Sequence, residues 1–166
     1  IMVVERVAKK HFDFQEKLII SPMWRCHINK TFSLFQEHQD DLTLEQFLKL
    51  WGNVSPYKIN QSVENQNCIR DIIIARSNND YIHGLYVYSA TPKKVLNIEH
   101  LFIPGPIARQ TILKQFIEHM ISLGMDLQCS MINIYHLNES DWRSLFLKEA
   151  GAKRVKPDCL QINLLS

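Results

Sequence analysis

Among the side chains of this 166-residue chain that could move protons, Glu99 has the most telling position. It is the one carboxylate in the strand-like run Val95 to Ile103, and alternation puts it on one face with Asn97, Leu101 and Ile103. A strand carboxylate between apolar neighbours has a raised pKa suited to a general base. The other reading is an ion pair with a basic residue on a neighbouring strand. On this pattern His100 faces the other way, as a core or rim histidine, and His83 on the preceding strand is a second, weaker base candidate. A different chemistry is suggested just downstream. Gly105 can serve as N-cap and Pro106 as the first residue of a helix, leaving the N–H groups of Ile107, Ala108 and Arg109 free at a positive helix end, with Arg109 or Gln110 beside them. A plain proline-capped helix start explains the same residues.

Other chemistries find little support. Cys26, Cys68, Cys129 and Cys159 lie 42, 61 and 30 positions apart, so no zinc-knuckle or disulfide-framework spacing arises, and free thiols in a reducing cytosol are expected. Nineteen Lys and Arg against seventeen Asp and Glu leave a net charge of +2, evenly spread, and the run Lys153, Arg154, Lys156 reads as a solvated strand end rather than a nucleic-acid patch. No apolar stretch approaches the eighteen or so residues of a membrane span, and no leader pattern opens the chain, so a cytoplasmic location is expected.

These residues must be positioned by elements that the sequence outlines. Residues 2–8 form a short Val-rich strand, and Asp13 with Glu16 opens a helix that Ser21-Pro22 stops while starting a second one. That second helix carries Trp24, Ile28, Phe32 and Phe35 on one face. Thr43 and Gln46 make the capping box of a third, with Leu44, Phe47, Leu48 and Trp51 apolar and Gly52 as terminator. Residues 53–67, rich in Asn and Gln, read as a long surface loop. Three strands follow in an antiparallel meander, 68–76, 81–90 and 95–103. A long amphipathic helix carries Ile112, Leu113, Phe116, Ile117, Met120 and Ile121 and ends at Gly124. Ser130 to Leu137 alternates as a strand, Ser140-Asp141 opens a helix that Gly151 closes, and a last strand lies near 160–165. The strand–helix–strand unit from 95 to 137 requires a crossover between parallel neighbours.

This order resembles that of the GNAT acyltransferase superfamily over nearly the whole chain, 1–166 being read as a single acyl-CoA N-acyltransferase-like domain. Two segments carry the resemblance: Asn97-Ile98-Glu99-His100-Leu101-Phe102-Ile103-Pro104 looks like the family's fourth strand, and Ser140 to Ala152 is similar to its last helix. The resemblance implies a mixed α/β (α+β), mostly antiparallel central sheet with helices on both faces and a splayed parallel pair at strands 4 and 5. It also implies a co-substrate, acetyl-CoA or another acyl-CoA, whose pantetheine arm would pair with the backbone of Leu101, Phe102 and Ile103. Its phosphates would meet Ile107, Ala108, Arg109 and Gln110, and Asn138 would hydrogen-bond the arm.

An amine would then attack the thioester while a base takes its proton and an acid protonates the thiolate. Glu99 is the candidate base, although the family's strand glutamate aligns with Asn97. Tyr135 is the candidate acid, because the family's helix tyrosine is replaced by Phe146 or Leu147, and water is the alternative proton source. The family's glycine-rich phosphate loop is shorter here, with Gly105 its one glycine. An acceptor site would be lined by Trp24, Arg25, His27, Phe47, Trp51 and the loop 53–67, which favours a small-molecule amine or a protein amino group over a polycation. The chain is thus expected to be an N-acyltransferase, with no metal, nucleic acid or membrane partner, as a monomer or a homodimer. A GNAT-fold binding or regulatory protein without turnover is the alternative.

Overall fold

The computed structural model describes residues 18–38, 43–52, 69–79, 81–105 and 108–165. The strand expected at 2–8, the opening of the first helix at Asp13 and the loop 53–67 lie outside these residues. In chain order the elements are β1 (Ile19–Pro22), a 3-10 turn (Arg25–His27), α1 (Ile28–His38), α2 (Leu44–Gly52), β2 (Ile69–Arg76), β3 (Ile82–Thr91), β4 (Val95–Phe102), α3 (Arg109–Asp126), β5 (Met131–Tyr135), α4 (Trp142–Glu149), β6 (Lys153–Lys156) and β7 (Cys159–Asn163).

The strands form one seven-stranded sheet in the order β1-β2-β3-β4-β5-β7-β6, antiparallel throughout except for the pair β4 and β5. Helices cover both faces. Against one face α1 and α2 bury Phe35 and Phe47 on Ile72, Ile74, Leu85 and Val87. Against the other, α3 buries Ile112, Leu113, Phe116, Ile117 and Met120 on Ile73, Tyr86, Leu96, Ile98, Leu101, Ile132 and Ile134. The predicted periodicities produced these faces, since β-branched residues at alternate strand positions and apolar residues at i, i+4 on α3 each make one continuous apolar surface.

Local signals acted as their chemistry requires. Thr43 and Gln46 bond reciprocally at the start of α2, the Gln46 N–H to Thr43 Oγ1 at 3.2 Å and the Thr43 N–H to Gln46 Oε1 at 3.0 Å. The Asp141 carboxylate caps α4 by accepting the Arg143 N–H at 3.0 Å. Gly151 ends that helix region at φ +100°, a conformation that L side chains rarely adopt.

The structure departs from these expectations at four places. Ile19–Pro22 is a strand rather than helix, pairing at the sheet edge with Ile73–Arg76, and Ser21-Pro22 does not start α1. Proline lacks an N–H, which suits the end of an edge strand. Trp24 therefore precedes the helix and is 63% exposed instead of joining the stripe. The basic run Lys153 to Lys156 is mostly exposed and strand-like as expected, but it forms a separate strand, β6, at the opposite edge, and α3 continues past Gly124 to Asp126.

The parallel pair is short. β4 and β5 are in register from Val95 opposite Met131 to Ile98 opposite Ile134, yet β4 runs four residues further, to Phe102. Just beyond the last paired residue, β4 holds an extra residue relative to β3: Ile98 faces Tyr88 and His100 faces Val87, so Glu99 is bulged. A bulge bends the strand and strengthens its local twist, turning β4 away from β5.

Candidate active site at the splayed strands

The bulge decides which side chains meet. With strict alternation Glu99 would share a face with Leu101 and Ile103, and His100 would point away. The extra residue breaks that alternation, so Leu101 and Ile103 join Leu96 and Ile98 in the α3-side core. Glu99 and His100 both line a cavity on the opposite face, of about 380 Å³, together with Ser89, Asn97, Tyr135 and His136. Phe102 packs with the α1 and α2 cluster. The predicted face of Glu99 was thus right toward Asn97 and wrong toward Leu101, and His100 moves from the rim into the site.

A polar row crosses the sheet here and lines the cavity with two of its members, Ser89 and Asn97. Arg70, Ser89, Asn97, Asn133 and Gln161 are register partners on β2, β3, β4, β5 and β7. Gln161 Nε2 donates to Asn133 Oδ1 at 2.9 Å, Asn133 Nδ2 donates to Asn97 Oδ1 at 3.3 Å, and the Tyr135 hydroxyl donates to the same Asn97 oxygen at 3.4 Å. With two donors on its oxygen, Asn97 keeps its NH2 group for other acceptors. Arg70 Nη2 donates to Glu99 Oε1 at 3.0 Å, so the ion pair foreseen as an alternative is the contact that Glu99 makes. Glu99 and Tyr135 are brought into one cavity. His83 is not among its lining residues.

Two histidines flank the splay. His100 and His136 each follow the last paired couple, Ile98 and Ile134, by two residues, and their rings stack with centroids 6.0 Å apart at 25°. His136 is held at φ +65° to do so. On its other side His100 meets the buried Phe35 ring edge-on at 5.2 Å.

The gap itself is not vacant. Arg143 of α4 reaches across it, donating from Nη1 to the Leu101 carbonyl and from Nε to Asp141 Oδ1 at 2.8 Å. Burial raises the Asp141 pKa, but the hydrogen bonds and charge of Arg143 outweigh it and hold the carboxyl below its usual range. At the start of α3 the N-cap is Ala108, at φ +55°, rather than Gly105, and the Ile112 N–H bonds its carbonyl. The first-turn N–H groups are consequently those of Arg109, Gln110 and Thr111. Ile107 lies outside the described residues. Arg109 stands with Cζ 4.5 Å from the Trp142 ring centre, a cation–π contact that fixes its direction. Gln110 is exposed. The Asn138 side chain accepts from the Ser140 hydroxyl at 2.8 Å and its carbonyl from the Ser144 hydroxyl at 2.7 Å, as a turn residue ahead of α4.

Part of the expected acceptor wall belongs to the core instead. Phe47 is fully buried against Phe32 and Phe35. His27 is buried and takes the Trp24 N–H on Nδ1 at 3.2 Å. The sequence reasoning missed Arg70, Ser89, His136 and Arg143. Arg70 and Ser89 meet the site through strand register, and Arg143 meets it through its reach from α4 to the Leu101 carbonyl.

No protein-family model matches the sequence, and no curated protein sequence matches it. Solved structures do resemble it. A GNAT-family acetyltransferase from Staphylococcus aureus Mu50 superimposes with a TM-score of 0.65 at 12% identity, over 89% of this chain and 99% of that one. Ard1 from Thermoplasma volcanium gives 0.66 at 12% identity, over 90% and 99%. The aminoglycoside 6'-N-acetyltransferase from Enterococcus faecium gives 0.63 at 12% identity, over 89% and 98%. The splayed parallel pair, the sheet order and these superpositions together show that the chain has the GNAT fold, as a form widely diverged in sequence.

Proposed function

We propose that this protein is an acyl-CoA-dependent N-acyltransferase, with acetyl-CoA as the first co-substrate to consider and an amine as acceptor, built as one domain over residues 1–166. The observation that carries the reading is the end of pairing at Ile98 and Ile134, because it leaves backbone of β4 facing a gap beside a polar cavity. A pantetheine arm carries amide groups that can continue a strand ladder. Leu101, Phe102 and Ile103 offer that ladder, and the Leu101 carbonyl, which accepts from Arg143 of α4, supports the reading.

Diphosphate would be met at the α3 start by Ala108, Arg109 and Gln110, with Ile107 adjoining, and Asn138 borders the arm's path. A helix N-terminus and a guanidinium held by Trp142 suit an anion. The free thiols of Cys26, Cys129 and Cys159 fit a reducing cytosol. Among the described residues no helix is long and apolar enough to cross a membrane.

The test is the thermal unfolding midpoint with acetyl-CoA, longer acyl-CoAs and free CoA. A ligand at a hundred times its dissociation constant adds about 2.7 kcal/mol, a shift of several degrees in a chain of this size. Such a shift with acetyl-CoA, followed by thiol release in the presence of an amine panel, supports the reading. No shift with any CoA species overturns it.

A further inference from the structure

Resting on that reading, we propose that His100 is the proton acceptor for the attacking amine, that His136 positions its ring, and that Glu99 is not the base. The cavity lining leaves few groups for the task. The Asn97 amide and the Ser89 hydroxyl have no basicity near neutral pH. Tyr135 points its proton at Asn97 Oδ1, and Glu99 is committed to Arg70 at 3.0 Å. Imidazole is the side chain whose ordinary protonation change falls between about pH 5 and 8.

Geometry separates the two histidines. His100 is half-buried, set between the edge of Phe35 and the face of His136, so two rings restrict its rotation. His136 is exposed and owes its placement to a left-handed backbone that few residues other than glycine adopt. Strain of this kind persists where surrounding structure holds it, and here it lays one imidazole over another across the point where the strands part. Glu99, Tyr135 and His136 line the cavity together with His100, Arg70 pairs with Glu99, and α1 packs Phe35 against the His100 ring.

In the step assigned to this site, the amine nitrogen uses its lone pair to form the C–N bond to the acyl carbon, and one N–H proton passes to the neutral His100 ring. The C–S bond breaks with its electron pair on sulfur, and the thiolate takes up the proton held by the imidazolium, directly or relayed through a water. Amide and thiol result, and the histidine returns to its neutral form.

The experiment measures thiol release from acetyl-CoA, with the amine panel or with water as acceptor, between pH 5 and 9. It compares the wild type with His100→Gln, Glu99→Gln, His136→Phe and His136→Ala, each also melted with acetyl-CoA to show that it folds and binds. Removing a general base costs about a hundredfold or more. His100→Gln is expected to lose that much and to lose the rise in rate with pH, while retaining the acetyl-CoA shift; Glu99→Gln loses less than tenfold. His136→Phe keeps the stacked ring and falls less than fivefold, whereas His136→Ala falls further with its pH profile intact. Wild-type rate in His100→Gln, a hundredfold loss in Glu99→Gln, equal losses in both His136 variants, or binding without any thiol release overturns the assignment of His100. Absence of any acetyl-CoA shift in the wild type overturns the acyltransferase reading itself.

Discussion

The two faces of the central sheet solve the same problem, polar groups among apolar strands, in opposite ways. On the α3 side, Asp71 and Tyr88 are register partners next to Tyr86, which bonds His119 of α3 through its hydroxyl at 2.5 Å. Burial pushes Asp71 up to about 6, with only the Ile72 N–H, at 2.7 Å, pulling it back. Burial also raises Tyr86 and Tyr88, with Asp71 adding to both, and burial lowers His119 despite Asp126. On the other side, one strand position away, Arg70 meets Glu99 and a row of amides satisfies itself. Burial without an opposite charge shifts a group toward its neutral form. Charge that meets an opposite charge has part of its desolvation offset by the pairing. A polar site can therefore sit on one face of the sheet as paired and hydrogen-bonded groups, while the core behind it buries a carboxyl with no cation beside it.

The largest effect should come from Asp71. Its folded pKa, about 6, lies above the ordinary 3.8, so the folded state binds the proton more tightly than the unfolded chain. The contribution of Asp71 to stability is accordingly greatest below pH 4, falls as pH rises through the window from 4 to 6, and levels off above it. The shift corresponds to about 3 kcal/mol at most. Asp71→Asn keeps an acceptor for the Ile72 N–H and should raise the free energy of unfolding at pH 7 by up to that amount while removing the fall in stability between pH 4 and 6. Urea unfolding at pH 4, 5, 6 and 7 measures both. A slope that survived the substitution would place the pH dependence elsewhere and dissolve the contrast between the faces.

A smaller effect is expected of the Arg70 and Glu99 pair, whose side chains are 33% and 25% exposed. A partly solvated pair couples by about 0.5–1 kcal/mol and is screened by salt. The double-mutant cycle of Arg70→Ala and Glu99→Ala should return that coupling at low ionic strength and lose most of it at 1 M salt. A coupling of several kcal/mol would mean that the site face stores as much electrostatic energy as the core.

The same contrast separates what the residues announced from what they concealed. The α3 face was legible because it follows from local period alone: Ile112, Leu113, Phe116, Ile117 and Met120 are buried as their spacing required, and the meander strands fall within a residue or two of the runs that named them. Caps at Thr43, Asp141 and Gly151 were legible because each is a short-range bond or a single backbone angle. The parallel neighbours followed from connection length. The bulge at Glu99 was not legible, since no glycine or proline marks it and it exists only as a count of β4 against β3. Everything downstream of that count was hidden too, including the entry of His100 into the cavity. Edge strands β1 and β6 were hidden because a Ser-Pro pair and a Lys-Arg run look alike in a turn, a cap or an exposed strand. The amide row was present as three separate residues on three strands, and only register joins them.

The smallest effect tests that row. Asn133 accepts from Gln161 and donates to Asn97, so it transmits one orientation along the row. Asn133→Ala removes one weak and one ordinary neutral hydrogen bond in a half-buried setting, a loss of about 0.5–1.5 kcal/mol. Because no member of the row titrates between pH 4 and 8, the loss should be the same at both ends of that range, unlike the change at Asp71. Asn133→Asp should cost more than alanine at pH 7, since a carboxylate can only accept and faces the Asn97 oxygen that needs a donor. To bond it, Asn97 must turn its amide over and present its oxygen to the cavity, forfeiting the bond from Tyr135. The side-chain NH2 resonances of Asn97 report the flip directly, shifting far in Asn133→Asp and broadening in Asn133→Ala. Equal stability losses with unmoved Asn97 resonances would show that the amide is held by something other than its neighbours in the row.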